Sequence, residues 1–180
     1  MTNAILKSRR VAMAAMLGGA VYAFTGAIEA TQDFGGTHNT IDSTGEYLVT
    51  GGFAAALLLT AAAYRELGRS GGKPRAGVVA VVPQLVLAVL TTISVIRGED
   101  LPIFNVLAPI CLLTWLVASI VIGNGLRKTR AVPKAVAIGL PAIFLATIPL
   151  SMFGGPLVTG AFWIAVGSLS LREEPVIATA

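Results

Sequence analysis

The chain has little charge for its length. Of its 180 residues, 12% are charged and 55% are hydrophobic, and the mean hydropathy is +0.81. Soluble domains carry about 25% charged residues, so a soluble globule of this size would lack the charge needed to cover its surface. The shortage excludes a soluble catalytic or DNA-binding domain and predicts an integral membrane protein.

The chain also has a single cysteine and a single histidine. Cys111 stands in an apolar run, so no disulfide framework can form, and His38 alone cannot supply both axial ligands of a haem. The motifs HExxH, CxxC, GxGxxG, GxSxG and the P-loop are absent from the sequence. We therefore predict no catalytic residue, no cofactor and no metal site, and we do not expect an enzyme.

Ionisable residues are missing from the centres of the apolar runs. Ion-coupled transporters and proton pumps usually need such groups at membrane depth. A proton-driven or sodium-driven carrier is therefore disfavoured. Backbone carbonyls freed by Pro83, Pro109 or Pro141 are the alternative ligands for sodium.

Six apolar runs, divided by short polar segments, fill the chain. A helix of about 20 apolar residues crosses the hydrocarbon core of a membrane. The pattern predicts an all-α fold, a single domain built as a bundle of six transmembrane helices. The predicted spans are residues 11–28, 47–64, 76–96, 101–126, 135–152 and 157–171.

The basic residues predict the orientation of this bundle. With the N-terminus in the cytoplasm, twelve of the thirteen lysines and arginines lie inside and only Arg97 lies outside. Membrane proteins keep basic residues on the cytoplasmic side, so both termini are predicted inside, in a plasma membrane of the bacterial inner-membrane type. The basic segments also account for the pI of about 9.6 without a nucleic acid, and the expected partner is the lipid bilayer.

Small residues recur at every fourth position of the first span. They are Ala15, Gly19, Ala23 and Ala27. Such a stripe lets helix backbones approach closely in a membrane. Packing against a neighbouring helix of the same chain is the favoured interpretation, and a docking face for another protein is the alternative.

Local signals mark both ends of the second span. Ser43 and Glu46 have the spacing of a capping box, which predicts a helix start there. At the other end, Tyr64 followed by Arg65 and Gly68 is typical of a water interface with a glycine stop.

Four polar residues in the spans are candidate ligand positions. Gln84 and Thr91 share one face of the third span, and Gln84 follows Pro83, which leaves the carbonyl of Val79 without its helix donor. The side chain of Gln84 is placed to supply that donor or to bond across helices. The other two candidates are Asn105 and Thr114 of the fourth span.

The segment between the first two spans holds the largest group of acids. The possible cation ligands there are Glu29, Asp33, His38, Asp42 and Glu46. Their spacing matches no recognised ligand pattern, so no metal site is predicted. Glu29 and Asp33 remain candidate outer-loop acids.

Two classes of function fit these features. The first is a non-enzymatic accessory or scaffold subunit that packs against a larger membrane partner or forms a homo-oligomer, and the lack of ionisable groups in the spans favours it. The second is a small-molecule or lipid binding or transport module with a cavity open to the extracytoplasmic side. In size, the chain resembles the substrate-binding components of energy-coupling-factor vitamin transporters, whose first helix carries a small-residue stripe like that at Ala15–Ala27.

Overall fold

Six α-helices form the described part of the chain. The computed structural model describes residues 5–31, 41–147 and 154–172, and no β-strand occurs among them. The helices are α1 (Arg9–Thr31), α2 (Thr44–Ser70), α3 (Pro74–Arg97), α4 (Phe104–Thr129), α5 (Lys134–Thr147) and α6 (Gly155–Arg172). The prediction of an all-α fold is confirmed.

Four of these helices, α1 to α4, are long and apolar enough to cross a membrane. The apolar stretches of α5 and α6 are shorter, from Lys134 to Leu145 and from Gly155 to Leu171. Each helix overlaps one predicted span. The described residues thus form a helical membrane protein.

The helices are arranged as a closed ring. Each one packs against the next along the chain, α1 packs against α6, and α2 also touches α4. A group of aromatic rings lies in the centre. Tyr64 contacts both Trp115 and Trp163 edge to face, and Trp115 contacts Phe144 in the same way. The interpretation of Tyr64 as an interface residue is wrong, because its side chain is fully buried.

Two glycines, Gly19 and Gly160, allow α1 and α6 to pack closely. A Cβ atom at Gly19 would lie 2.7 Å from the carbonyl oxygen of Gly160 and 2.8 Å from the backbone nitrogen of Ile164. A Cβ at Gly160 would lie 2.6 Å from the backbone nitrogen of Ala23. The two backbones are therefore in direct contact, which gains dispersion energy where lipid supplies no hydrophobic force.

The start of α2 has the predicted capping box, but its end lies elsewhere. Ser43 Oγ accepts from the N–H of Glu46, and Glu46 Oε2 accepts from the N–H of Ser43. At the other end, Gly68 does not stop the helix, which continues to Ser70 and is capped by Gly71. Gly68 is needed for packing, because a Cβ there would lie 2.6 Å from the Cα of Gly77 in α3.

Gln84 links α2 to α3 beside Pro83. Its Nε2 donates to the carbonyl of Ala80 at 2.9 Å, and its Oε1 accepts from the hydroxyl of Thr60 at 3.3 Å. The side chain thus bonds within its own helix, to Ala80 instead of Val79, and also across helices. All three side chains are buried, so this polar contact fixes the register of the two helices at the level of the proline.

The residues before α1 pack onto the bundle. The side chains of Ile5 and Leu6 are buried, and the N–H of Leu6 donates to Ser170 Oγ of α6 at 3.1 Å. Glu66 Oε1 of α2 accepts from the N–H of Ser8 at 2.9 Å and from that of Lys7. These bonds tie the beginning of the described chain to both α2 and α6.

Candidate functional site

The two ends of the bundle differ in charge. We call the end where α1 ends and α2 begins the acidic end, and the opposite end the basic end. The described acids at the acidic end are Glu29, Asp42, Glu46, Glu99 and Asp100, and Arg97 pairs there with Glu99 at 2.6 Å. The acidic and basic residues are separated because successive polar segments between helices lie alternately at one end of the bundle and at the other.

A cavity of about 360 Å³ opens at the acidic end. Its wall comes from α1, α2, α3, α4, the α3–α4 turn and the start of α6. The lining residues are Glu29, Val49, Thr50, Phe53, Leu87, Thr91, Asp100, Phe104, Ala108, Leu112 and Pro156. We call this space the acidic-end cavity.

The wall of the acidic-end cavity is mainly apolar. Phe104, Ala108 and Leu112 are spaced four residues apart, so they present one face of α4 along about 12 Å of helix. Phe53 of α2 and Leu87 of α3 add to this surface. A ligand with an apolar body would therefore replace lipid or water against these side chains.

Thr91 lines the cavity, and its hydroxyl has no hydrogen-bond partner among the described residues. Thr91 is 4% exposed, and its Oγ1 bonds to no atom of the described residues. Other threonines of the bundle donate to the carbonyl four residues before them, Thr92 to Ala88 at 2.7 Å and Thr114 to Ile110 at 2.8 Å. A buried polar atom without a partner costs about 1–3 kcal/mol, so a molecule in the cavity that reached Thr91 Oγ1 would gain a hydrogen bond.

Glu29 places a carboxylate in the same cavity. Its Oε2 is buried and bonds to no atom of the described residues. Removing an ionised carboxylate from water without a partner is costly, and an opposite charge offsets that cost. Asp100 adds a second carboxyl group to the lining, just beyond Gly98, which caps α3 in the left-handed conformation. Two carboxyl groups in the lining would favour a cation over an anion.

The structure separates the four candidate ligand positions. Thr91 lines the acidic-end cavity, whereas Gln84 is buried and bonded to Ala80 and Thr60. Asn105 is exposed, and the half-buried Thr114 bonds to its own helix. Of the four, the acidic-end cavity is lined only by Thr91; Asn105 follows Phe104 and points about 100° away from it around α4.

The candidate acids are only partly described. Glu29 lines the cavity, and Asp33 and His38 lie outside the described residues. Within the described ranges, no group of three or more histidine, cysteine, aspartate or glutamate side chains could hold a metal ion. The sequence interpretation missed Asp100 and Phe104. Asp100 directly precedes the fourth predicted span, as Glu29 directly follows the first, and an acid at the boundary of a span is the signal that could have found it.

The small-residue stripe runs from the interior to the surface. Ala15 and Gly19 are buried, Ala23 is half-buried against Gly160, and Ala27 is exposed. Gly19 and Ala23 lie against α6. This part of the stripe is therefore covered by the chain itself.

Comparisons with other proteins give no match. No family model, no curated protein and no solved structure matches this chain. The chemistry of the acidic-end cavity is then the basis for a proposed function. It combines an apolar wall with a free hydroxyl and two carboxyl groups.

Proposed function

We propose that the protein binds a small organic cation with an apolar body in the acidic-end cavity. The observation that carries this proposal is the pair of buried, unpartnered oxygens, Thr91 Oγ1 and Glu29 Oε2, on two residues that line one cavity. An ammonium group supplies both the donors that these oxygens lack and the charge that a buried carboxylate needs. The protein is proposed as a binding or transport module without enzymatic activity.

The size and wall of the cavity support a small ligand. Its volume of about 360 Å³ falls in the range of about 300–1,000 Å³ found for small-molecule sites. Phe53 and Phe104 in the lining are aromatic rings that attract cations through their faces. The aliphatic side chains accept the apolar body of the ligand.

The proposed orientation places this cavity on the extracytoplasmic side of a plasma membrane. In it all six helices cross the bilayer and both termini lie inside. The distribution of lysine and arginine supports this orientation, since Arg97 is the only basic residue at the acidic end. The cavity would then receive its ligand from outside the cell.

The accessory or scaffold hypothesis stays a prediction, as does homo-oligomer formation. The stripe on α1 offered a docking face for a partner, but Gly19 and Ala23 pack against Gly160 of α6. This use of the stripe inside the chain removes one reason for an external partner. Mass spectrometry after isolation in mild detergent would test the hypothesis, and a partner chain bound in fixed proportion would support it.

Ligand binding can be tested with three molecules of similar shape. We expect 2-phenylethylammonium to bind more tightly than neutral 2-phenylethanol or anionic 3-phenylpropionate. Glu29→Gln should weaken binding of the ammonium compound about ten- to hundredfold, because a hydrogen bond to a charged group contributes about 1.5–3 kcal/mol. Thr91→Val should weaken the binding of all polar probes by a smaller factor. Titration calorimetry in detergent measures these affinities.

Glu99→Gln is the matched control for this experiment. Glu99 is an acid at the same end that pairs with Arg97 and does not line the cavity, so its replacement should leave the affinities unchanged. Equal binding of the three molecules, or an unchanged preference in Glu29→Gln, would contradict the proposed ligand class.

The orientation can be tested by cysteine labelling in a Cys111→Ala background. Asp42 and Lys128 are exposed at opposite ends of the bundle, and each is replaced by cysteine in turn. We expect an impermeant maleimide to label Asp42→Cys in intact cells and Lys128→Cys only after the membrane is opened. Labelling of both cysteines in intact cells would refute the six-span, N-inside arrangement.

A further inference from the structure

A second and larger cavity lies at the basic end. Its volume is about 630 Å³, and it lies between the start of α1, the last part of α2 and α3. Its lining residues are Lys7, Ser8, Val11, Ala61, Ala62, Arg65, Glu66, Arg69, Ser70 and Val81. We call this space the basic-end groove.

The charge of the basic-end groove is positive. Lys7, Arg65 and Arg69 are exposed side chains in its lining, and no ion pair in the described part of the chain neutralises them. The one acid of the groove, Glu66, uses Oε1 to accept from the backbone N–H groups of Lys7 and Ser8. Three cations therefore face one carboxylate that is already bonded to the backbone.

Towards the middle of the bundle, the groove becomes apolar. Ala61, Arg65 and Arg69 follow one another at four-residue intervals, so they lie along one face of α2 with the basic residues nearer the helix end. Val11 of α1 and Val81 of α3 flank this face. Because Ala61 and Ala62 have small side chains, they leave space for an apolar chain next to the cations.

We propose that the basic-end groove binds an anionic phospholipid. Lys7, Arg65 and Arg69 hold the phosphate, for which the planar guanidinium groups of arginine offer paired donors. One acyl chain lies over Ala61, Ala62 and Val81. The apolar part distinguishes this site from one for free phosphate, which would need cations alone.

This lipid site is independent of the acidic-end cavity. The two lie at opposite ends of the bundle and share no lining residue. In the orientation proposed above, the groove opens in the cytoplasmic leaflet, where anionic lipids attract basic segments. Because Glu66 and Ser170 anchor the residues before α1, Lys7 is held at the groove ready for the headgroup.

Native mass spectrometry with lipids of matched acyl chains tests the proposal. The protein is titrated with phosphatidylglycerol or with phosphatidylcholine. We expect one phosphatidylglycerol to bind at least about tenfold more tightly than phosphatidylcholine. The double variant Arg65→Gln/Arg69→Gln should lose this preference, while its weak binding of phosphatidylcholine should not change.

The control is the double variant Lys128→Gln/Lys134→Gln. It removes two positive charges from the same end of the bundle, but neither residue lines the groove, so the tight phosphatidylglycerol site should remain. If both double variants lost the preference for phosphatidylglycerol equally, the lipid would be held by a general attraction to the positive charge of this end and not by the groove. That result would overturn the proposal. Equal binding of the two lipids by the wild type would also overturn it.

Two further measurements separate a lipid from a free phosphate. Excess inorganic phosphate should leave phosphatidylglycerol bound, and complete displacement would show a phosphate site instead of a lipid site. Ala62→Phe keeps every charge and fills the apolar part from an exposed position. It should weaken phosphatidylglycerol binding about tenfold, and an unchanged affinity would contradict the place proposed for the acyl chain. Thermal unfolding of each variant verifies that it is folded.

Discussion

Gly19→Leu is expected to destabilise the bundle by about 3 kcal/mol or more, at or above the upper end of the cost of overpacking. Even a Cβ atom at this position would lie 2.7 Å from the backbone of Gly160 and 2.8 Å from that of Ile164. Backbone atoms cannot rotate away as a side chain can, so α1 and α6 must separate to admit the leucine. Thermal unfolding in detergent, followed by circular dichroism, measures the loss.

Leu17→Ile is the control for Gly19→Leu. Leu17 lies two residues away on α1, its side chain is 57% exposed, and the substitution keeps its volume. We expect its melting temperature to equal that of the wild type. Equal melting temperatures for Gly19→Leu and the wild type would show that α1 and α6 do not meet at Gly19.

Trp163→Ala is the second substitution for which we expect a large effect, a loss of about 3–5 kcal/mol. Trp163 is fully buried, and its ring lies 5.2 Å from that of Tyr64 and 5.3 Å from that of Phe162. In a membrane the loss comes mainly from the cavity left behind, since lipid tails are as apolar as the protein interior. The free energy of unfolding in mixed micelles is the quantity to measure.

Phe24→Ala is the matched substitution at the surface. Phe24 is 56% exposed, so detergent or lipid fills the place of its ring and no cavity forms. We expect a change close to zero for Phe24→Ala and an intermediate loss for Trp163→Phe. A similar loss for Trp163→Ala and Phe24→Ala would mean that the aromatic group does not hold the centre of the bundle together.

The helices were predictable from the sequence because lipid imposes a simple rule. A spanning segment must satisfy its backbone hydrogen bonds internally and be apolar over its length, and both properties are visible in composition. The capping box at Ser43 and Glu46 was predictable for a similar reason, since its two hydrogen bonds lie within four residues. Such local features need no knowledge of the tertiary structure.

The neighbours of each helix were not predictable in this way. In a soluble helix the apolar face indicates the core, whereas here lipid-facing and buried residues are equally apolar. Gly68 is an example. From the sequence alone, a glycine that permits a close helix crossing cannot be distinguished from one that ends a helix. Asn105 was a candidate ligand position because it is polar, yet its side chain is exposed and does not line the acidic-end cavity.

The acidic-end cavity was partly predictable for the same reasons. Glu29 and Thr91 were recognised as polar groups in or beside apolar spans. That they line one cavity depends on how α1, α3 and α4 are arranged around α2, which no local pattern specifies. Phe53 and Phe104 carry no signal of their own, since an aromatic residue in a span is as suited to lipid as to a ligand.

The contact between α1 and α6 has a consequence for the order of assembly. The first described helix packs against the last described one, and about 140 residues separate the end of α1 from the end of α6. At a synthesis rate of about 5–20 residues per second, the glycine face of α1 stays without its partner for roughly 7–28 s. During that interval it is open to the α6 of another copy, so a high rate of expression should favour dimers that exchange α6.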